Sequence, residues 1–300
     1  MEEHNVFAGA FVDRKTLKRK DNDWLEKALL QENTRFIPIW DECFLVNETL
    51  TKLIFLKSND FNYSQTKKNN IFLGYFRGHP IFAIIMNENI KTPFSKIGKF
   101  KNLRYLGNVI ATDEANLAAY ICGLVKWHDS QIFCSKCGSL TKPEKGGNSR
   151  RCKNSVCDNT IFPRVDPAII VLVTNGEKCL LGRQAGWPKE RYSTIAGFVE
   201  PGESLEDAVC REVFEETNIV VCKIEYCSSQ PWPFPSSLML GFTAEVDSTV
   251  DQNICLNDEE LEHAAWFSRK ELLSDFPKLP NKMSIARRLI DTWITLSNSR

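Results

Sequence analysis

Three glutamates, Glu212, Glu215 and Glu216, stand at positions i, i+3 and i+4 of one segment. On a helix they lie together on neighbouring turns. The segment from Leu205 reads as that helix, because Leu205, Ala208, Val209 and Val213 repeat as a core-facing stripe. At 100° per residue, Glu212 and Glu216 project within about 20° of Leu205, inside the apolar stripe. Grouped carboxylates aimed at a core repel one another and are costly to bury. A hard divalent cation removes both difficulties, since Mg²⁺ takes oxygen ligands and typically bridges carboxylates to substrate phosphates. The competing reading, a solvated acidic face, suits Glu206, Asp207 and Glu215 better than the other two.

A second cluster consists of Cys134-x-x-Cys137 and Cys152-x4-Cys157, two thiol pairs a hairpin apart. Four thiolates at this spacing form a tetrahedral zinc shell, which stabilises a short polar segment lacking a core of its own. A redox dithiol needs only one such pair and a thioredoxin-like context, which is missing here. Lys142, Lys145, Arg150, Arg151 and Lys153 add local positive charge without any evident base-reading or stacking element, so a solvated, stabilising knob is favoured over a nucleic-acid reader.

The elements that must position these groups follow from the pattern. Residues 1–130 read as an α+β domain. "FIPIWDECFLV" and "TKLIFLK" are strand-like, "NIFLGYFRGHPIFAIIM" reads as two strands around Arg77-Gly78-His79-Pro80, and a helix is expected from about Asp113. Residues 131–163 hold the cysteines. From 164 to 300, "PAIIVLVT", "KCLLGR", "STIAGFV", "VVCKIEYCS" and "SLMLGFTAEV" are strand-like, the carboxylate helix separates the third from the fourth, and "SIARRLIDTWITL" forms a last helix after a Ser284 N-cap. Ser204 and Asp207 form a capping box before Leu205, and Asn218 suits a left-handed helix end.

Composition bounds the rest. The 300 residues are 43% hydrophobic and 25% charged, with 38 basic and 38 acidic side chains, so attraction to an anionic ligand must be local. Eleven cysteines, seven of them scattered, point to free thiols in a reducing compartment. No window is apolar enough for a membrane span, and "MEEHNVFAGAF" lacks a secretory n-region. A soluble, cytoplasmic protein is expected. "SNSR" does not match a peroxisomal S-K-L ending, and peroxisomal or mitochondrial addresses stay open.

"GFVEPGESLEDAVCREVFEETNI" resembles the Nudix box, G-x5-E-x7-R-E-U-x-E-E-x-G-U with U aliphatic. Gly197, Glu203, Arg211, Glu212, Val213, Glu215, Glu216 and Ile219 fall in register, and Asn218 replaces the late glycine. The resemblance implies a Nudix α/β/α sandwich with a mixed sheet, and hydrolysis of a nucleoside diphosphate linkage with two to three Mg²⁺ or Mn²⁺ per site. It assigns catalysis to Glu212, Glu215, Glu216 and Arg211, with Arg211 orienting the glutamates. Metal ligation falls to Glu212, Glu216, the Ala196 carbonyl and a distal Glu260, for which Glu259 is the neighbouring alternative.

Downstream, "SQPWPFPSS" is similar to the array of the NADH pyrophosphatase subfamily, whose members also remove NAD caps from RNA. Its prolines are expected to hold the chain extended and to display Trp232 and Phe234. The same subfamily carries a small N-terminal α+β domain, foreshadowed by "FAGAFVDRKTLKR", and a four-cysteine ribbon with one structural Zn²⁺ per subunit. It also has a YPR-like entry, here "FPRVDP" with Phe162 where tyrosine is usual. Substrate contacts are expected from Phe162, Phe198, Gln230, Pro231, Trp232, Pro233, Phe234, Pro235, Ser236, Ser237 and Ala286. The implied substrates are NADH, NAD⁺ and NAD-capped RNA, in a homodimer without membrane association. The alternatives are a pyrophosphatase preferring ADP-ribose or other dinucleotides, and a binding module whose Nudix domain has lost catalysis.

Overall fold

A computed structural model of the chain describes residues 4–62, 70–86, 94–256 and 260–296. They divide into two compact units. One consists of Phe7–Val165 with Pro233–Ser236, and the other of Asp166–Trp232 with the segments up to Val6 and from Ser237 onward.

The first unit contains β1 (Val12–Asp13), α1 (Asn22–Leu29), β2 (Arg35–Trp40), β3 (Cys43–Val46), β4 (Ile71–Phe76), β5 (His79–Ile85), β6 (Lys99–Asn102), α2 (Leu103–Leu106) and α3 (Thr112–Ser130). The strands form one sheet in the order β1-β4-β5-β2-β3-β6. The β4–β5 hairpin and the start of α3 fall where the apolar periodicity places them. "TKLIFLK" differs from expectation, contributing only isolated bridges through Leu53 and Leu56. The Leu53 N–H is taken at 2.7 Å by the buried carboxylate of Glu114 instead of a strand partner. A side chain has replaced a ladder acceptor there, which a hydrophobic pattern does not reveal.

The cysteine segment adds a three-stranded sheet of β7 (Thr141–Glu144), β8 (Ser149–Cys152) and β9 (Thr160–Ile161). It falls within the first unit. The Asn148 amide donates to the Phe72 carbonyl at 2.8 Å. Gly147, at φ +85°, packs so closely on Ile71 that a Cβ would lie 3.2 Å from its Cγ2. Beneath the ribbon, buried Arg150 donates to Thr141 Oγ1 and to His128 Nδ1, each at 2.7 Å, and His128 Nε2 meets the Gly147 carbonyl at 2.7 Å. Burial pushes the His128 pKa down to about 4, with the Arg150 charge adding to the shift.

The second unit is a two-faced sheet. Its members are β10 (Asp166–Asn175), β11 (Lys178–Arg183), β12 (Ile195–Phe198), α4 (Leu205–Thr217), β13 (Val221–Trp232), β14 (Ser237–Val246), β15 (His263–Ser268), α5 (Arg269–Leu272) and α6 (Ile285–Leu296). The order is β13-β14-β10-β11-β15, with β12 also on β10. β10 runs parallel to β14 and antiparallel to β11 and β12, so the sheet is mixed. Along β10 the side chains alternate as strand geometry demands. Ile169, Val171 and Val173 join Ala208, Val209 and Val213 of α4. Ile170 and Leu172 join Ile285, Ala286, Leu289 and Ile290 of α6. This is the expected α/β/α sandwich. β15 and α5 lie in a stretch of weak alternation that the sequence reading passed over.

Candidate active site and metal centres

α4 is fixed at both ends before its carboxylates matter. Ser204 Oγ accepts from the Asp207 N–H, and the Asp207 carboxylate accepts from the Ser204 N–H, closing the capping box. At the other end Asn218 adopts φ 62°, and its N–H reaches the Phe214 carbonyl at 2.7 Å. Asparagine therefore supplies the left-handed turn that glycine gives the Nudix box.

With the helix so placed, Glu216 is 3% exposed, whereas the Glu215 side chain is 51% exposed. Glu212 turns toward β12, where a Cβ on Gly197 would fall 1.9 Å from its Cδ. A side chain at 197 would therefore displace the Glu212 carboxylate. Arg211 spans the group. Its Nη1 donates to Glu212 at 2.9 Å and to Glu215 at 3.0 Å, its Nη2 donates to the Phe198 carbonyl at 2.9 Å, and Nε and Nη2 grip both oxygens of Glu203. The bidentate Arg211 pair holds the Glu203 pKa down to about 2 and raises that of Arg211 itself. Glu212 moves the other way. Burial raises its pKa, Arg211 opposes this, and the neighbouring charges of Glu215 and Glu260 raise it further. Glu260 is thus one of the charges felt by Glu212; Glu259 lies outside the described residues.

This donor set fits a hard divalent cation, since the carboxylates of Glu203, Glu212 and Glu215 gather on one guanidinium and the next acid in sequence, Glu216, is buried. Ala196, beside Gly197 on β12, pairs with Ile170 and brings its backbone to the same strand. The four cysteines fit a softer ion. Their sulfurs all lie within 4.8 Å of one another, with 3.5 Å between Cys137 and Cys152 and 3.9 Å between Cys134 and Cys157. A tetrahedral Zn–S₄ shell with bonds near 2.3 Å has edges of roughly 3.8 Å. A hydrogen bond from the Lys136 N–H lowers the Cys134 pKa, and Ser139 brings Cys137 down to about 6. Burial, in contrast, pushes Cys152 up to about 12 and the neighbouring thiols raise Cys157, so the cation itself is needed to make all four thiolates.

The expected substrate residues divide. Phe198 is 56% exposed and Phe162 is 60% exposed, with Lys145 Nζ 5.4 Å from the Phe162 ring centre. Pro231 and Trp232 end β13 and Ser237 begins β14, so they are extended. Pro233, Phe234, Pro235 and Ser236 form a turn, with a cis peptide at Phe234-Pro235, and this corrects the expectation of one extended array. Phe234 packs edge-on against Phe7 at 6.1 Å, under Arg104, so it is a half-buried anchor.

Gln230 lies inside the second unit. It is 1% exposed, and its amide donates to the Val6 and Met283 carbonyls while accepting from the Ile285 N–H. It fastens the start of α6. Ala286 follows in the core at 1% exposure. Glu203 was recognised as part of the box but not as part of the site, although its place eight residues before Arg211 was the available signal.

Known proteins resemble this chain along most of its length. The NUDIX domain model matches residues 164–291, and a model described as "NADH pyrophosphatase-like rudimentary NUDIX domain" matches 33–127. The NAD-capped RNA hydrolase NUDT12 of Homo sapiens is 32% identical over 98% of this chain and 74% of its own length. The NAD-capped RNA hydrolase NudC of Mycobacterium bovis is 40% identical over 64% of each chain. A crystal structure of a NUDIX hydrolase from Nitrosomonas europaea is similar at 21% identity, covering 55% of this chain and 91% of that one, with a TM-score of 0.45. The carboxylate helix, the four-cysteine ribbon and the near full-length similarity lead to one conclusion: the chain belongs to the Nudix hydrolases, in the branch that contains the NAD-capped RNA hydrolases.

Proposed function

We propose that this protein hydrolyses the central pyrophosphate of NADH and NAD⁺, adding water across one P–O bond to give nicotinamide mononucleotide and AMP. By the same cleavage it would remove NAD caps from RNA 5′ ends. One observation carries the proposal: Arg211 holds Glu212 and Glu215 of α4 together, with Glu216 buried and Glu212 pressed against the glycine of β12. A domain without catalysis gains nothing from acids in its core.

Glu212, Glu216, Glu260 and the Ala196 carbonyl would hold Mg²⁺ or Mn²⁺. When bound, such ions supply neutralisation of pyrophosphate oxygens and a more acidic water. The protein's own part is orientation. Arg211 keeps Glu212 and Glu215 from turning outward, and Glu203 keeps Arg211 in place. The exposed ring of Phe198 offers an apolar face for one of the dinucleotide's bases. Cys134, Cys137, Cys152 and Cys157 would hold one Zn²⁺ in a structural role. A homodimer in the cytoplasm completes the reading.

The test is Glu216→Gln, which removes a ligand charge and almost no volume. Turnover of NADH should fall at least a hundredfold with an unchanged melting temperature. Full activity in this variant would remove Glu216 from the metal site.

A further inference from the structure

Residues 14–20, Arg-Lys-Thr-Leu-Lys-Arg-Lys, hold five cations and no acid in a chain whose net charge is zero. The cations do not scatter into solvent. Arg14 lies 4.0 Å above the centre of the Tyr120 ring. Arg19 donates through Nη2 to the Tyr120 hydroxyl at 2.9 Å, and that hydroxyl donates to Asn148 Oδ1 at 2.9 Å. Lys18 Nζ sits 5.1 Å over Trp24, and Lys15 Nζ sits 5.4 Å over Tyr75. Trp24 and Tyr75 stack on each other at 6.4 Å. The segment thus lays its cations on three aromatic rings, all within the first unit.

What these cations lack is informative. Lys15 pairs with Asp13 at 2.6 Å, and Asp21 is occupied as the N-cap of α1. Among the described residues, Arg14, Lys18 and Arg19 have no carboxylate partner. The two guanidinium groups instead share one tyrosine. Burial lowers the Arg19 pKa, Tyr120 opposes the shift and the like charge of Arg14 adds to it. The Arg19 Nε is buried without an acceptor. A cation resting on a ring keeps its outward side open to an anion, and it is positioned at little cost in side-chain entropy. Two like charges brought together without a counter-ion are the arrangement that a phosphate completes.

We propose that Arg14, Lys18 and Arg19, set on Tyr120 and Trp24, bind the phosphodiester backbone of single-stranded RNA. Arg14 and Arg19 share Tyr120 while Lys18 sits on a second ring, Trp24, and cations spread over two rings suit successive phosphates better than one free anion. The choice of RNA rests on the proposed removal of NAD caps, because only that substrate carries a chain beyond the dinucleotide. The four-cysteine ribbon is not needed for this role.

The test is direct binding of a fluorescein-labelled single-stranded RNA with a 5′-monophosphate, which the enzyme does not consume, measured across a salt series. Each phosphate contact contributes about 0.7 to the slope of log K against log salt for single strands. Arg14→Gln/Arg19→Gln should therefore lower the slope by about 1.4 and weaken binding about tenfold near 0.1 M salt. Hydrolysis of free NADH should be unchanged. Lys18→Gln, a change at an exposed side chain, should lower the slope by about 0.7 and decides the matter if the double variant fails to fold.

Unchanged affinity and slope in these variants would overturn the site. Displacement of the RNA by micromolar inorganic phosphate would overturn the RNA assignment in favour of a single-anion site. If the variants lose RNA binding but the parent protein leaves NADH intact, the site stands and the proposed catalysis fails. If NADH is cleaved and RNA binding is indifferent to the variants, the reverse holds.

Discussion

The carboxylate of Glu212 occupies the space that a side chain at residue 197 would need, with Cδ 1.9 Å from where a Gly197 Cβ would stand. The atom in the way is the far end of a flexible side chain, so Gly197→Ala can be accommodated by swinging Glu212 aside. The fold should survive with a loss of about 1 kcal/mol, while NADH turnover falls at least a hundredfold because Glu212, the proposed metal ligand, has moved. Gly197→Ala should add almost nothing to the loss already produced by Glu212→Ala. Additive losses in that double-mutant cycle would show that the two positions act independently.

Arg211 bonds three carboxylates and a carbonyl through a planar fork, a pattern that lysine cannot reproduce. Arg211→Lys should keep the charge yet lose most of the activity and on the order of 2 kcal/mol of stability. Glu203→Gln should give a similar but milder loss of stability, since one oxygen can still accept from Arg211. Wild-type kcat in Arg211→Lys would mean that charge alone, rather than the fork, serves the site.

His128 makes a pH prediction with a definite sign. Its folded-state pKa is about 4, below the ordinary value of 6.5, so between these limits the unfolded chain binds a proton that the folded chain refuses. Stability should then fall as pH drops from about 6.5 toward 4 and level off below, a span worth roughly 3 kcal/mol. In His128→Gln this component should vanish, although the variant starts less stable because Arg150 loses an acceptor. Denaturant unfolding of both proteins at several pH values checks it, and parallel pH curves would contradict the assignment.

Removal of zinc should act on stability rather than chemistry. Cys134→Ser or Cys157→Ser should reduce zinc toward zero and lower the melting temperature by an amount corresponding to several kcal/mol. Chelation of the wild type should reproduce the effect. One zinc per chain in either variant would contradict the four-thiolate centre.

Local chemistry was what the sequence disclosed best. Ser204, Asp207 and Asn218 bound α4 as expected because capping depends on residues three or four apart. The cysteines converge because their spacing already describes the turn that holds them. Relationships between distant segments were hidden. Nothing near Gln230 announces that its amide closes on Val6, Met283 and Ile285. Nor does "TKLIFLK" reveal that Glu114, 61 positions away, takes its backbone donor. The prolines after Trp232 suggested an extended chain, but Pro233–Ser236 turn, since fixing φ leaves ψ free to reverse direction. The rudimentary Nudix match over 33–127 was equally invisible, because that region shows no carboxylate helix to carry the resemblance.

The most direct measurement of the central claim is product analysis. Purified protein with Mg²⁺ or Mn²⁺ would receive NADH, NAD⁺, ADP-ribose and an NAD-capped RNA at equal concentration, with products resolved by mass spectrometry. The account predicts reduced nicotinamide mononucleotide and AMP from NADH, and 5′-monophosphate RNA with released nicotinamide mononucleotide from the capped substrate, each gaining one water across the pyrophosphate. Intact NADH, NAD⁺ and capped RNA alongside cleaved ADP-ribose would contradict the proposed substrate, and four intact substrates would contradict catalysis itself.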